Sequence, residues 1–460
     1  MRFETLLSLA LATRFVVVHS IDRQAVVRKF NPVRYGSSNS TPMQVGNGNF
    51  AFGVDVTGPQ TFYPFGTFSS WGWHNFSFPN ATAQNSPSAF TGLDWYCHHF
   101  RFPNSVGFWF DPSLNITKKS LSNKSQTLDL YSGLITSQFT VLGSDVQVQV
   151  AADPDSDTVS IQIDSELIQS GKFEVFFDFP YSDVNKFDVP FVGIWNSTSN
   201  SLHKTSLQQS ENQAKIRHDI GSTTYYTSIN LDLTVNFSPT PRRDFPDAES
   251  MAGSSSDWWS DYWKSGAFAD LTGSDNANAK ELQRRIILSQ YNLAVNEACK
   301  DTPQESGLVN NGWYGKFYME MVFWHLGHWI ELVTRGIRGL AGKMSDPTGR
   351  SVPGDINSLL IWQQPHPFYF AEREYRQFPS QGTLKKWHKI LTQSAEFMAS
   401  YAWWNTTTKV YDLGPPMYPG SESTNPNVTI NPTFELAYWR FGLSVATTWK
   451  TRQHLPVPAN

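Results

Sequence analysis

Carboxylate, indole and imidazole side chains crowd one short stretch of the chain. Asn310-Asn311-Gly312-Trp313-Tyr314-Gly315-Lys316 reads as a Gly-rich aromatic turn, and the spacing after it predicts a helix over about 317–338. On that helix Glu320, Trp324 and His328 fall along one stripe and Met321, His325 and Trp329 along the next. A polyhydroxylated ligand needs a flat apolar face for its C–H side and donors and acceptors for its hydroxyls. Trp313, Tyr314, Lys316, Glu320, Trp324 and His325 supply both. An aromatic stripe at helical spacing is also what a core presents, and Met319, Phe323 and Trp329 fit that plainer reading.

Two further loop-to-helix junctions carry similar chemistry. Trp362-Gln363-Gln364-Pro365-His366-Pro367 places indole, amides and imidazole at a Pro-stiffened helix start, again suited to hydroxyls. Behind it, Glu372 and Arg376 are spaced i, i+4 as a structural ion pair. The other junction is Gly414-Pro415-Pro416-Met417-Tyr418-Pro419-Gly420-Ser421-Glu422-Ser423-Thr424-Asn425-Pro426, poor in charges other than Glu422. A carboxyl desolvated in such a loop can stay protonated and act as a general acid; an exposed loop Glu weighs evenly against that. Glu435 opens the next helix, where its charge favours the helix dipole without any catalysis. His325 and His328 lack zincin spacing, and no Walker, Rossmann or G-x-S-x-G pattern occurs. No metal or cofactor is expected.

The elements that must position these residues fall into two regimes. Period-two alternation marks strands at 45–56, 145–150, 158–163, 173–177 and 229–235, which implies antiparallel sheets with one wet face and a large β-sandwich over 21–255. Ser254-Ser255-Ser256-Asp257 reads as a linker ending in an N-cap, with a linker helix over 256–275. Helical patterns follow at 276–299, 366–377, 384–402 and 433–450, joined by long Gly/Pro-rich loops of the sort that carry function.

Composition narrows the partners. With 460 residues, a net charge of -4 and 17% charged residues, the chain lacks the basic face that nucleic acid requires. Aromatics reach 15%, including 17 Trp, many beside Gly, Asn, His or Gln, which favours a carbohydrate-handling surface. Residues 1–20 read as a secretory signal, and no later run approaches the roughly 20 apolar residues of a membrane span. A secreted glycoprotein is therefore expected. Asn39, Asn75, Asn80, Asn115, Asn123, Asn196, Asn236, Asn405 and Asn427 are candidate glycosylation sites. Cys97 and Cys299 could form one disulfide, which their spacing does not decide. Oligomeric state is not legible.

At these motifs the chain resembles a six-hairpin glycosidase and is similar to glycoside hydrolase family 65. The resemblance is carried by Val45-Gly46-Asn47-Gly48-Asn49-Phe50-Ala51-Phe52-Gly53, by Asn311-Gly312-Trp313-Tyr314-Gly315-Lys316-Phe317, by Trp362-Gln363-Gln364-Pro365-His366-Pro367, and by Asn431-Pro432-Thr433-Phe434-Glu435-Leu436-Ala437-Tyr438-Trp439-Arg440. It implies a multidomain β + α fold: an N-terminal β-supersandwich followed by an (α/α)6 toroid, here partial over 276–460. It also implies an inverting glycosidase whose general acid is Glu422. The family's Gly-Pro-Asp-Glu-Tyr loop departs here to Ser421 and Ser423 around Glu422. Its Phe-Trp-Asp sugar contact becomes Phe323-Trp324-His325. Only about half of the twelve toroid helices are expected before Asn460, so the partner carboxylate is sought in Glu320 or Glu435. A carbohydrate-binding remnant without catalysis and a glycoside phosphorylase are the alternatives.

Overall fold

Apolar residues at every second position over 134–164 dictate a sheet with one dry face, and the strand registers deliver it. The computed structural model describes residues 20–38, 40–75, 99–101, 104–181, 201–230, 232–299, 307–309, 317–327, 344–345, 356 and 359–458. Nine strands form its large antiparallel sheet: β1 (Val33–Arg34), β2 (Ser122–Asp129), β3 (Leu134–Val141), β4 (Ser144–Ala152), β5 (Thr158–Asp164), β6 (His203–Gln209), β7 (Gln213–Ile220), β8 (Thr223–Asn230) and β9 (Thr234–Ser238). They lie in the order β1-β2-β3-β4-β5-β9-β8-β7-β6. Ile135 pairs with Val150, which pairs with Ile161, so three buried side chains stack in one row across the sheet.

The strand expected at 229–235 is a hairpin instead. Leu233 takes a left-handed φ of 56° and its N–H donates to the Asn230 carbonyl at 3.0 Å, turning β8 into β9. The alternation survives the turn, which hides it in the sequence. The segment expected as a strand after a Gly-Asn turn is likewise a hairpin, Met43–Gly46 against Phe50–Val54, joined by Thr67–Ser69 in a second sheet whose first strand contacts β3 and β4. Asn47 holds its turn: Oδ1 accepts the N–H groups of Asn49 and Phe50, both at 2.9 Å, and Nδ2 donates to the carbonyls of Asp153 and Ser156. Gly48, at φ +85°, donates its N–H to the Val295 carbonyl at 3.0 Å. A Cβ there would sit 2.5 Å from the Ala298 backbone, so only glycine lets the turn close on the helix end.

Helices follow the sheets. The first long one spans Ala248–Lys264 and is capped by Asp247, whose carboxylate accepts the Ser250 N–H at 2.8 Å. The linker expected at 254–257 is therefore helical, and the cap lies ten residues before Asp257. Packing overrides the weak propensity of the Gly/Ser run. Met251, Ser255, Trp259 and Trp263, spaced by four, are buried against the sheet, and Trp263 Nε1 donates to the Leu130 carbonyl at 2.7 Å.

Ala279–Glu297 continues the helical part, followed by His366–Gln377, Gln381–Tyr401 and Thr433–Arg452, the last three packed on one another. Their core holds Phe368, Leu384, Trp387, Leu391, Met398, Trp439 and Trp449. Each buried indole finds an acceptor: Glu374 for Trp387 at 2.7 Å, and the Leu384 carbonyl for Trp449 at 3.2 Å. The Glu372–Arg376 pair forms at 2.9 Å, with Arg452 joining at 2.6 Å. Among the described residues no helix is long and apolar enough to cross a membrane.

Candidate active site

The helix expected from residue 317 begins later. Phe317–Tyr318 pairs as a short strand with Met344–Ser345, residues 319–321 form a turn, and the helix covers Val322–Leu326 within the described residues. Glu320 thus lies in the turn and shares no helical stripe with Trp324. That position brings its backbone and its carboxylate to the start of the His366–Gln377 helix. Trp362 Nε1 donates to Glu320 Oε2 at 3.2 Å, and His366 Nε2 lies 3.3 Å from the Glu320 carbonyl oxygen.

His366 is 2% exposed, and its Nδ1 is 2.8 Å from the Tyr438 hydroxyl. Burial lowers its pKa to about 4, against a small opposing effect of the Glu320 carbonyl. The ring is therefore neutral near neutral pH. A carbonyl only accepts, which assigns the ring proton to Nε2 and leaves Nδ1 to accept from Tyr438. Burial and the nearby Tyr369 raise the Tyr438 pKa, keeping its proton in place.

Trp362 is the centre of the cluster. Its ring lies edge-on to His366 at 5.0 Å and to Phe434 at 5.8 Å between centroids. The Gly420 backbone packs beside it, where a Cβ would stand 3.5 Å from both the indole Cγ and Glu435 Oε1. Glu435 is fully buried, and its Oε1 accepts the Gly420 N–H at 2.5 Å. Its Oε2 has no hydrogen bond among the described residues. Glu422 stands two residues beyond Gly420, half-buried, with a left-handed φ of 55° and its N–H donating to the Pro419 carbonyl at 2.8 Å. Glu320 thus accepts from the indole, and Glu435 holds the Gly420 backbone beside it, in the loop that carries Glu422.

Other expected site residues are placed differently. His325 is 6% exposed and sits in the core, whereas Trp324 is 62% exposed. Gln363 and Gln364 are buried at 2% and 5%, with Gln363 Nε2 donating to the Leu360 carbonyl at 2.8 Å. Each keeps an Oε1 without a hydrogen bond among the described residues. His325, Gln363 and Gln364 are thus as enclosed as His366. Trp313, Tyr314, Lys316, His328, Trp329 and Cys97 lie outside the described residues, as do Asn39, Asn80 and Asn196 and residues 1–19. Asn75 lies in a short strand. Asn115, Asn123 and Asn427 are exposed. Asn405 is half-buried and donates to Asp412 at 2.6 Å. Asn236 is a correction: it is 1% exposed and donates to Thr158 Oγ1 at 2.8 Å, so the folded sheet has no room for a glycan there. Phe434 and Tyr438 were missed, although their i, i+4 spacing beside Glu435 was a usable signal. No metal-holding cluster occurs among the described residues.

No protein-family model and no curated protein matches the chain. Solved structures do. A protein assigned as a kojibiose phosphorylase, from the human microbiome, aligns at 10% identity over 93% of this chain and 66% of its own, with a TM-score of 0.62. That likeness is one of fold. A bacterial glucoamylase complexed with acarbose aligns at 8% identity over 92% of this chain and 70% of its own, with a TM-score of 0.43. The chain spans just under two-thirds of the length of the first of these, and at such identities what is shared is architecture: a large antiparallel sheet region followed by packed helices.

Proposed function

We propose that the protein is a secreted carbohydrate-active enzyme, similar to glycoside hydrolase family 65, that cleaves a glycosidic bond by single displacement. Its helices would belong to an (α/α)6 toroid, and an oligosaccharide or glycoside would be the substrate. The observation that carries this reading is the Trp362 indole, flanked by the Glu320 carboxylate and by the Gly420 loop that leads to Glu422. An indole face suits the C–H side of a sugar ring, and a pair of carboxylates beside it would suit proton delivery and water activation. Glu422, partly accessible, is the acid. Glu320, also partly accessible, is the better candidate for the opposing carboxylate, since Glu435 is sealed from solvent. An inverting pair stands roughly 6.5–9.5 Å apart to admit a water.

The test is a disaccharide and aryl-glycoside panel assayed with and without inorganic phosphate, on the wild type and Glu422→Gln. Hydrolysis that ignores phosphate and falls about 10²–10⁴-fold in the variant supports the reading. Phosphate-dependent turnover would make it a phosphorylase. Sugar binding without turnover would make it a binding protein, and unchanged turnover in the variant removes Glu422 from the acid role.

A further inference from the structure

We propose that Glu435 is a positioning residue that sets the place of Glu422 by holding the tip of its loop, and that it takes no part in proton transfer. This rests on the reading of Glu422 as the acid. The stem of the loop is fastened by Asn431: its N–H donates to the Leu413 carbonyl at 3.0 Å, its Oδ1 accepts the Leu413 N–H at 2.8 Å, and its Nδ2 donates to Asp412 at 2.6 Å. Midway, Met417 N–H donates to the Pro426 carbonyl and Tyr418 N–H to the Leu359 carbonyl, at 3.2 and 3.0 Å. Beyond those ties the tip turns tightly, with Glu422 N–H closing onto Pro419. The Gly420 N–H lies inside that turn, and the Glu435 carboxylate takes it.

Glu435 occupies the third position of the Thr433–Arg452 helix, where unpaired backbone amides favour a carboxylate even under full burial. A fully buried carboxylate cannot reach a substrate, yet it grips a backbone group two residues from one that can. A charged acceptor holds an amide more strongly than a neutral one. The loop tip is therefore fixed from the helix, beside Trp362.

Reach and charge separate cleanly by substitution. Glu435→Gln keeps an oxygen at the same distance without the charge, and Glu435→Asp keeps the charge but withdraws it by one methylene. Amide hydrogen exchange over residues 418–422 and steady-state kinetics on the best disaccharide of the panel read both. The expected result is near-native protection in Glu435→Gln with a kcat loss of about fivefold or less. Glu435→Asp is expected to exchange about tenfold faster or more, and to lose about 100-fold in kcat with little change in KM. Native protection in Glu435→Asp overturns the proposal. So does a Glu435→Gln enzyme as inactive as Glu435→Asp with its loop still protected, which would make the charge itself the requirement. Should Glu435→Asp fail to fold, Glu435→Met, which keeps the volume and removes the acceptor, carries the same comparison. If the wild type turns over no glycoside, the enzyme reading falls, while the exchange experiment still decides whether Glu435 holds the loop.

Discussion

Two buried imidazoles, one in the sheet and one in the helical part, look alike until their neighbours are named. His218 is fully buried on β7, with Nε2 2.9 Å from Thr227 Oγ1 and Nδ1 3.1 Å from His203 Nε2. The Tyr225 ring lies nearly parallel to it at 4.2 Å. Burial, with His203 beside it, pushes its pKa down to about 2. His366 is equally enclosed and lowered to about 4. The first imidazole spends both ring nitrogens on the two strands that neighbour its own. The second reaches through Glu320 to a carboxylate and backs an indole at a loop junction. A perturbed, buried histidine marks a site only when the groups around it can meet a ligand.

Acid should expose the likeness, and it is the largest expected effect. In the unfolded chain both imidazoles take up protons below about 6.5, their ordinary value, while the folded pockets refuse them. Stability is then full above pH 6.5 and falls as the pH drops toward 4, by about 3 kcal/mol from His366 alone. The loss through His218 continues toward pH 2. Urea melts across this range check it; a flat profile from pH 7 to 4 would show that the pockets admit protonated rings. Activity should expose the difference. His218→Gln is expected to leave kcat/KM unchanged while lowering stability by about 1–3 kcal/mol. Trp362→Phe, which keeps a ring but removes the donor to Glu320, is expected to lower kcat/KM about tenfold with the melt nearly unmoved. Equal effects of the two substitutions on kcat/KM would dissolve the distinction. The smallest effect is that of Tyr438→Phe, which strips one donor from His366 Nδ1 and should cost about 1 kcal/mol of stability.

The sheet was the more legible of the two regions. Alternation located β4 and β5 almost to the residue, because each strand writes its own burial pattern locally. It failed at Leu233, where a left-handed turn leaves the alternation unbroken. The His366–Gln377 helix was equally legible, since Pro365 and Pro367 mark its start. The helix from Ala248 was not, because its Gly/Ser run is held by tertiary contacts of Trp259 and Trp263. At the candidate site, Trp362, His366, Glu320 and Glu435 were each singled out by type. Their assembly was invisible because three separate chain segments supply it. Residue type also left the burial of His325, Gln363 and Gln364 unread, since a polar side chain at a helix start looks the same in sequence whether it is enclosed or exposed.

Arg23 adds a consequence for how the chain is made. Its guanidinium donates to the carbonyls of Trp263, Ser265 and Gly266 at 2.9, 3.1 and 3.1 Å, tying the short Arg23–Arg28 helix to the end of a helix 240 residues downstream. Those acceptors do not exist until that much more chain has been translated. At about 5–20 residues per second, the first helix emerges from the ribosome and waits on the order of 10–50 s for its partner. Until then its apolar Val26 and Val27 have no finished surface to cover them.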